Sequence, residues 1–240
     1  MIHKFTTYNI FLCIVITILF INCGHTKSVI VNPDYDERIN GEGVAVILPR
    51  SEVSIENPAD AEDDLGHGFA KEVFMKFFKE EFPKALHEHS SFANIVVLDL
   101  PTWKFTDSSI VEQSFTVADT QVIYLKVPRE GSKLKSIGDS LRFVLFIEGL
   151  TTSRIPGSRW VSAGNAILGS SLFLPTDSLL TMQLRFALWD NEKGKTTLFG
   201  QVSVADDEGF EMTKTDWKAI LRRASKEMFK NSPLHGREID

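Results

Sequence analysis

Residues 178–189, Ser178-Leu179-Leu180-Thr181-Met182-Gln183-Leu184-Arg185-Phe186-Ala187-Leu188-Trp189, carry the strongest local pattern in the chain. Leu180, Met182, Leu184, Phe186 and Leu188 share one parity, and Thr181, Gln183 and Arg185 share the other. A period of two with one apolar set predicts a half-buried strand with one wet face. Asp190-Asn191-Glu192-Lys193-Gly194 then supplies turn residues. Residues 196–204 alternate again, with Leu198, Val202 and Val204 inward. The stretch is therefore a β-hairpin, and the fold is built around it.

Working outward, Thr213-Lys214-Thr215-Asp216 offers a capping-box pattern ahead of a helix. Trp217, Ile220, Leu221, Ala224 and Met228 follow at helical spacing, and Asn231-Ser232-Pro233 ends the run. Upstream, Arg142-Phe143-Val144-Leu145-Phe146-Ile147-Glu148, residues 121–127 and residues 93–99 read as strands. The earliest clear strand is Gly43-Val44-Ala45-Val46-Ile47-Leu48, closed by Pro49. A long helix over residues 65–88 comes next, preceded by Asp63 and Asp64, with Phe69, Val73, Phe77, Phe78, Phe82 and Leu86 on its apolar face. Pro83 inside that span predicts a kink or a break. The expected fold is α+β, a single-domain layered α/β sandwich. Its sheet is mixed and largely antiparallel, with a long helix after the first strand and a C-terminal helix.

The chain has 240 residues, 43% hydrophobic and 24% charged, with a formal net charge of -6 and a pI near 5.6. That composition excludes a disordered or polytopic membrane chain. The acidic balance argues against nucleic acid as a partner, because binding phosphate needs a basic face. The two cysteines, Cys13 and Cys23, both lie near the amino terminus, so the body holds no disulfide framework.

Lys4 precedes an apolar run over residues 10–21 interrupted only by Thr17. Twelve helical residues rise about 18 Å, short of a hydrocarbon core of about 30 Å, so the run reads as a secretory signal peptide. It ends Phe20-Ile21-Asn22-Cys23-Gly24. This end resembles the signal peptides of bacterial lipoproteins, in which a lipidated cysteine becomes the first mature residue. Cys23 matches that cysteine and Gly24 is a usual follower, whereas Phe20 and Asn22 depart from the commonest leucine and small residue. The resemblance implies membrane attachment through lipid on Cys23, and two or more acyl chains suffice for stable anchoring. Because Gly24 is not aspartate, it also implies the outer membrane, with the body facing the periplasm or the cell exterior. The expected organisation is a signal peptide over 1–22, a lipidated cysteine and tether over 23–42, one domain over 43–233 and a tail over 234–240. Within the tether, Val29-Ile30-Val31 has the composition of a short edge strand.

The strand at Val44 to Leu48 before a long helix, the strand Phe143 to Ile147, the hairpin with Leu188-Trp189-Asp190 and Gly200, and the helix from Trp217 form a recognisable order. In that order the body is similar to the α/β domain of curli-secretion lipoproteins and to the TolB amino-terminal domain. The resemblance implies a non-catalytic assembly or accessory role with an envelope protein partner.

Chemistry-bearing motifs are sparse. His87 and His89 stand two apart, about 200° around a helix, and the His-Glu-x-x-His spacing is absent. No Gly-x-Ser-x-Gly elbow, Walker loop or dinucleotide fingerprint occurs. Asp60, Glu62, Asp63 and Asp64 lack the ligand spacing of a calcium loop and read as a solvated acidic loop. No catalytic residue, cofactor or metal is therefore expected, although a triad assembled in space stays open. Residues 151–175 read as a long loop, either an interaction surface or an excursion carrying its own strand. Arg154, Arg159 and Trp160 in it, with Trp103, are the candidate interaction residues, since arginine and tryptophan are enriched at interface hot spots. The expected function is a lipid-anchored envelope protein acting in binding, assembly or scaffolding. A small-ligand-binding lipoprotein is the alternative, and a hydrolase with a dispersed site comes third.

Overall fold

The computed structural model describes residues 26–48, 53–98, 110–117, 121–134, 137, 141–161, 172–207 and 213–236. The strands are β1 (Thr26–Val31), β2 (Gly43–Ile47), β3 (Val53–Ile55), β4 (Asn94–Leu98), β5 (Ile110–Val117), β6 (Gln121–Pro128), β7 (Phe143–Val161), β8 (Leu172–Asp190) and β9 (Lys195–Asp207). The helices are α1 (Pro58–Leu65), α2 (Ala70–His89) and α3 (Lys214–Phe229). Seven strands form one mixed sheet in the order β1-β9-β8-β7-β2-β4, with β3 also paired to β7. β1, β9, β8 and β7 are antiparallel neighbours, while β2 runs parallel to both β7 and β4. β5 and β6 form a separate antiparallel ribbon. The α+β layered sandwich expected from the sequence is the fold observed.

Alternation sorts the side chains of the sheet into two layers. Leu180, Met182, Leu184, Phe186 and Leu188 face α2 and α3, in one core with Val44, Val46, Phe143, Leu145, Phe78 and Trp217. The opposite parity turns to the other face, where Ala187 packs with Ile123, Leu125 and Val127 of the β5–β6 ribbon and Trp189 packs with Leu134, Val144 and Phe146. Thr181, Gln183 and Arg185 stay half-exposed, as expected of a wet face, and only the end of β8 at Ala187 and Trp189 is covered on this side. Between α2 and α3, Phe74 meets Trp217 edge-on at 5.6 Å, and within α2 Phe78 stacks on Phe82 at 4.4 Å. Each such fully buried side chain contributes about 1.5–3 kcal/mol through apolar surface removed from water.

Local signals decide the helix ends. Thr213 and Asp216 close the capping box expected at α3, with Thr215 N donating to Thr213 Oγ1 at 3.2 Å and Thr213 N to Asp216 Oδ2 at 2.7 Å. α2 runs unbroken through Pro83, with Phe82 and Leu86 fully buried on either side. Packing of both flanking turns offsets the proline penalty of about 3 kcal/mol, so the expected break does not occur. The acidic stretch expected as a loop is the helix α1, opened by Pro58.

Three boundaries differ from the sequence reading. Residues 23–42 were expected as a tether with a short edge strand at Val29-Ile30-Val31; that edge strand is present as β1, paired with β9, but from Thr26 the rest also belongs to the body, since Tyr35 is buried and Ile39 N donates to Pro233 O. Gly200 makes this possible. A Cβ on it would collide with Ser28 O and sit 2.8 Å from Val29 Cα, and its φ is +155°. The expected tail from residue 234 is also held, since Leu234 is fully buried and Gly236 N donates to His89 O. Finally, residues 151–175 are not a plain loop, because β7 and β8 continue pairing to Val161↔Leu172.

The Gly200→Ala substitution is expected to lower stability by about 1–3 kcal/mol through overpacking. Denaturant unfolding measures that loss, and hydrogen exchange should show the β1 amides losing protection before those of β7 and β8. Unchanged β1 protection would show that the edge strand absorbs the methyl group.

Candidate functional site

One end of the sheet gathers the starts of β2, β7 and β9 and the end of β8, and the segment after β1 folds across it. The order of charged and aromatic residues along that segment, Asp34-Tyr35-Asp36-Glu37-Arg38, brings Tyr35 onto the β8–β9 turn. Asp190, wholly buried, is the centre. Its Oδ2 accepts from Arg142 Nη2 at 2.8 Å, Arg142 Nε at 3.1 Å and Tyr35 Oη at 3.2 Å. Its Oδ1 accepts from the backbone N–H groups of Glu192 and Lys193 at 2.9 and 3.1 Å. Arg142 Nη1 in turn donates to Glu42 Oε1 at 3.0 Å, and the guanidinium lies 4.9 Å from the Phe143 ring centroid. Lys193 Nζ sits 4.3 Å over the Tyr35 ring, and Lys195 pairs with Asp34 at 2.9 Å.

The electrostatics follow from these partners. Burial alone would raise the Asp190 carboxyl, but the Arg142 hydrogen bonds and charge, with the Lys193 and Glu192 amides, hold it below the usual carboxylate range. Burial is the first cause that pushes the Tyr35 hydroxyl up, to about 12, with the adjacent Asp190 charge acting in the same sense. Hydrogen bonding to Asp190 is the main cause that raises Arg142 above its ordinary value. The carboxylate accepts five hydrogen bonds and the phenol keeps its proton to about 12, so this cluster ties the segment after β1, the β8–β9 turn and the start of β7 together. Around it open two clefts that share Tyr35, Asp36 and Arg38. One, of about 870 Å³, is lined also by Val31, Asn231 and His235; the other, of about 490 Å³, by Glu42, Arg142 and Lys193. Their linings offer both charges and several hydrogen-bond donors, chemistry suited to holding a polar group.

Of the sequence-predicted site residues, only Arg154 has a described side chain. Arg154 lies on β7, where its Nη1 pairs with Asp60 at 3.3 Å and its backbone O accepts from Asn57 Nδ2 at 2.8 Å. It therefore fastens α1 to the sheet. Arg159 and Trp160 lie on β7 beyond it, in register with Leu174 and Phe173. Trp103 and Cys23, with the signal segment, lie outside the described residues. Each of the acids flagged by sequence at 60, 62 and 64 has a structural task, since Glu62 Oε1 accepts from Ala70 N and Asp64 Oδ2 accepts from Trp217 Nε1. His87 and His89 occupy the last turn of α2. Among the described residues no cluster of three metal-ligating side chains occurs, and no helix is long and apolar enough to cross a membrane.

The Tyr35–Asp190–Arg142 knot escaped sequence reasoning. Its one available signal was a lone aromatic residue inside an otherwise charged segment, which a solvated tether would not need.

Removing the central carboxylate in Asp190→Ala leaves Arg142 and Tyr35 without their shared partner and is expected to cost about 3 kcal/mol, read by denaturant unfolding. A loss under 1 kcal/mol, far below the usual range for a broken buried pair, would mean that water replaces the carboxylate. Tyrosinate absorbance should show one step displaced to about 12, absent in Tyr35→Phe. The folded state keeps the proton more tightly than the unfolded chain, so this contribution is complete below pH about 10 and disappears as pH rises towards 12.

No protein-family model and no curated protein matches the chain. Among solved structures it is similar to the PelC dodecamer from Paraburkholderia phytofirmans, at 11% identity over 89% of this chain and 99% of that chain, with a TM-score of 0.35. A neuraminyllactose-binding hemagglutinin homolog from Helicobacter pylori matches at 9% identity over 82% and 84%, with a TM-score of 0.31. The hypothetical protein CT253 from Chlamydia trachomatis matches at 12% identity over 78% and 93%, with a TM-score of 0.30. All three scores lie below 0.5, and no functional statement follows from them.

Proposed function

We propose that this chain is a lipid-anchored bacterial cell-envelope protein, attached to the outer membrane through Cys23, whose body acts by binding in assembly or scaffolding. The observation that carries this reading is the position of Thr26, already paired to Ser203 three residues after Cys23. Only Gly24 and His25 separate lipid from sheet, a reach of about 11 Å at most for three extended residues. Such a body is held directly against the membrane, with a defined end towards it, as a docking platform requires. Support for binding over catalysis comes from the acids: Asp190, Glu62, Asp60 and Asp64 are all engaged in bonds that hold the fold. The two clefts around Tyr35 and Arg38 follow the other end of β1 from Thr26 and favour a polar small ligand as the second reading.

In cells grown with labelled palmitate, the wild-type chain should incorporate label and sediment with membranes, and Cys23→Ala should do neither. Label and fractionation that survive the substitution would overturn the anchored reading.

A further inference from the structure

The residues after α3 form a strap across the end of α2. The chain turns at Asn231, whose φ is +63°, and Ser232 Oγ donates to Phe229 O at 2.6 Å. From there the strap is tied to parts of the chain far away in sequence. Pro233 O accepts from Ile39 N at 2.9 Å, Leu234 O from Ser91 N at 2.9 Å, and His89 O from Gly236 N at 3.1 Å. Ser90 and His235 form an isolated antiparallel bridge. Leu234 is fully buried in the helix-side core, and a Cβ on Gly236 would stand 3.0 Å from the backbone carbonyl carbon of His89. Ser232, Pro233, His235 and Gly236 also line the cleft of about 870 Å³ that Tyr35 and Arg38 share.

Two imidazoles meet at this seam. His89 is half-buried in the last turn of α2 and His235 is half-buried in the strap, and each is next in sequence to the other's backbone partner. The His235 Nδ1 is buried and has no hydrogen-bond partner. An imidazolium carries N–H on both ring nitrogens, so protonation places a buried donor there with nothing to accept it. The surrounding charges act in the same sense. Arg222 and Lys226 act on His89 from α3, and Arg38 Nη2 donates to His235 O at 3.3 Å from the segment after β1. Two acids stand against them: Asp36 lines the same cleft, and Glu88 acts on His89 while pairing with Arg222 at 2.9 Å. Burial first, and then the charges of Lys226, His235 and Arg222, hold the His89 imidazole below its ordinary value against the pull of Glu88.

We propose that residues 232–236 are an acid-released clasp: neutral imidazoles at His89 and His235 let the strap lie on α2, and protonation frees it, opening the larger cleft while the sheet stays intact. The clasp is independent of the lipid anchor. His89 takes a proton less readily in the clasped state than when released into water, so release takes up a proton and is favoured as pH falls below 6.5. Clasping is complete near neutral pH and is lost in the interval below it. Each imidazole protonated only on release raises the opening equilibrium by up to about tenfold per pH unit. The opening is local, because Leu234 is the one strap residue in the core, whereas β7, β8 and β9 are joined by long antiparallel ladders.

Amide hydrogen exchange on the full chain, corrected for the intrinsic pH dependence of exchange, reads the clasp directly. Between pH about 7.5 and about 5.5 the opening constants at Ser91 and Gly236, whose amides hold the strap, should rise about tenfold or more. Those of β8 and β9 should stay as they are. Unchanged constants at Ser91 and Gly236, or an equal rise throughout β8 and β9, would overturn the proposal. Joint substitution of His89→Gln and His235→Gln should abolish the rise. His87→Gln, at the exposed histidine of the same helical turn, should keep it. A rise that survives the double substitution, or that disappears with His87→Gln, contradicts the clasp. If the doubly substituted chain does not fold, imidazole NMR on the wild type decides. The His89 ring should then titrate with a midpoint below 6.5, and the Ser91 and Gly236 amide signals should move with that same midpoint. A midpoint at or above 6.5, or amide signals that ignore it, leaves no acid-released clasp.

Discussion

The antiparallel pairing of β7 with β8 sets everything else in this molecule. The two strands exchange backbone hydrogen bonds from Phe143↔Asp190 outward, and their side chains form the inner lining of both layers. Helices can pack on one face only because Leu180, Met182, Leu184, Phe186 and Leu188 all arrive there together. A single extra residue, Glu148, lies opposite the step from Phe186 to Arg185. This bulge changes the parity of β7, so that Leu150 joins the helix-side core after Ile147 has done the same. At that step Gly149 leaves room for Arg185, whose Nε would stand 2.7 Å from a Cβ there.

The two ends of this pair have opposite characters. At one, a buried carboxylate is surrounded by five donors and draws the segment after β1, the turn after β8 and the start of β7 into one knot. An unpaired charge at such depth would be costly, so Tyr35, Arg142 and the turn amides are mutually required. At the other end the two strands stay paired to Val161↔Leu172, with no third strand beside Gly157 to Val161 among the described residues. The first end is fixed by polar saturation inside the protein.

How much of this could be read in the chain varied by the range of the interaction. The hairpin, the capping box at Thr213 and the strand at Val44 to Leu48 depend on neighbours a few residues away, and each forms where its pattern lies. Pro83 misleads because local propensity opposes a helix that tertiary burial of Phe82 and Leu86 holds together. Residues 26–42 look like a tether because their composition is mostly polar; Val29-Ile30-Val31 marked an edge strand, but its partner β9, more than 160 positions away, is set by no local pattern. Arg154 was legible as important, yet its partners, Asp60 and Asn57, could be identified only in three dimensions. Acidic residues 60 to 64 read as a solvated loop for the same reason.

By itself the sequence determined the layered α+β class, the central hairpin, the terminal helix and the position of Cys23, the cysteine nearer the body. These follow from periodicity, capping and composition, which act over a turn or a strand. Tertiary structure decided that the polar segment after that cysteine is part of the sheet, that Asp190 is buried and saturated, and that β7 and β8 project together at the amino-terminal end of β1. Those outcomes depend on strand register and on close approach at Gly200, contacts between residues far apart in the chain that no local pattern encodes.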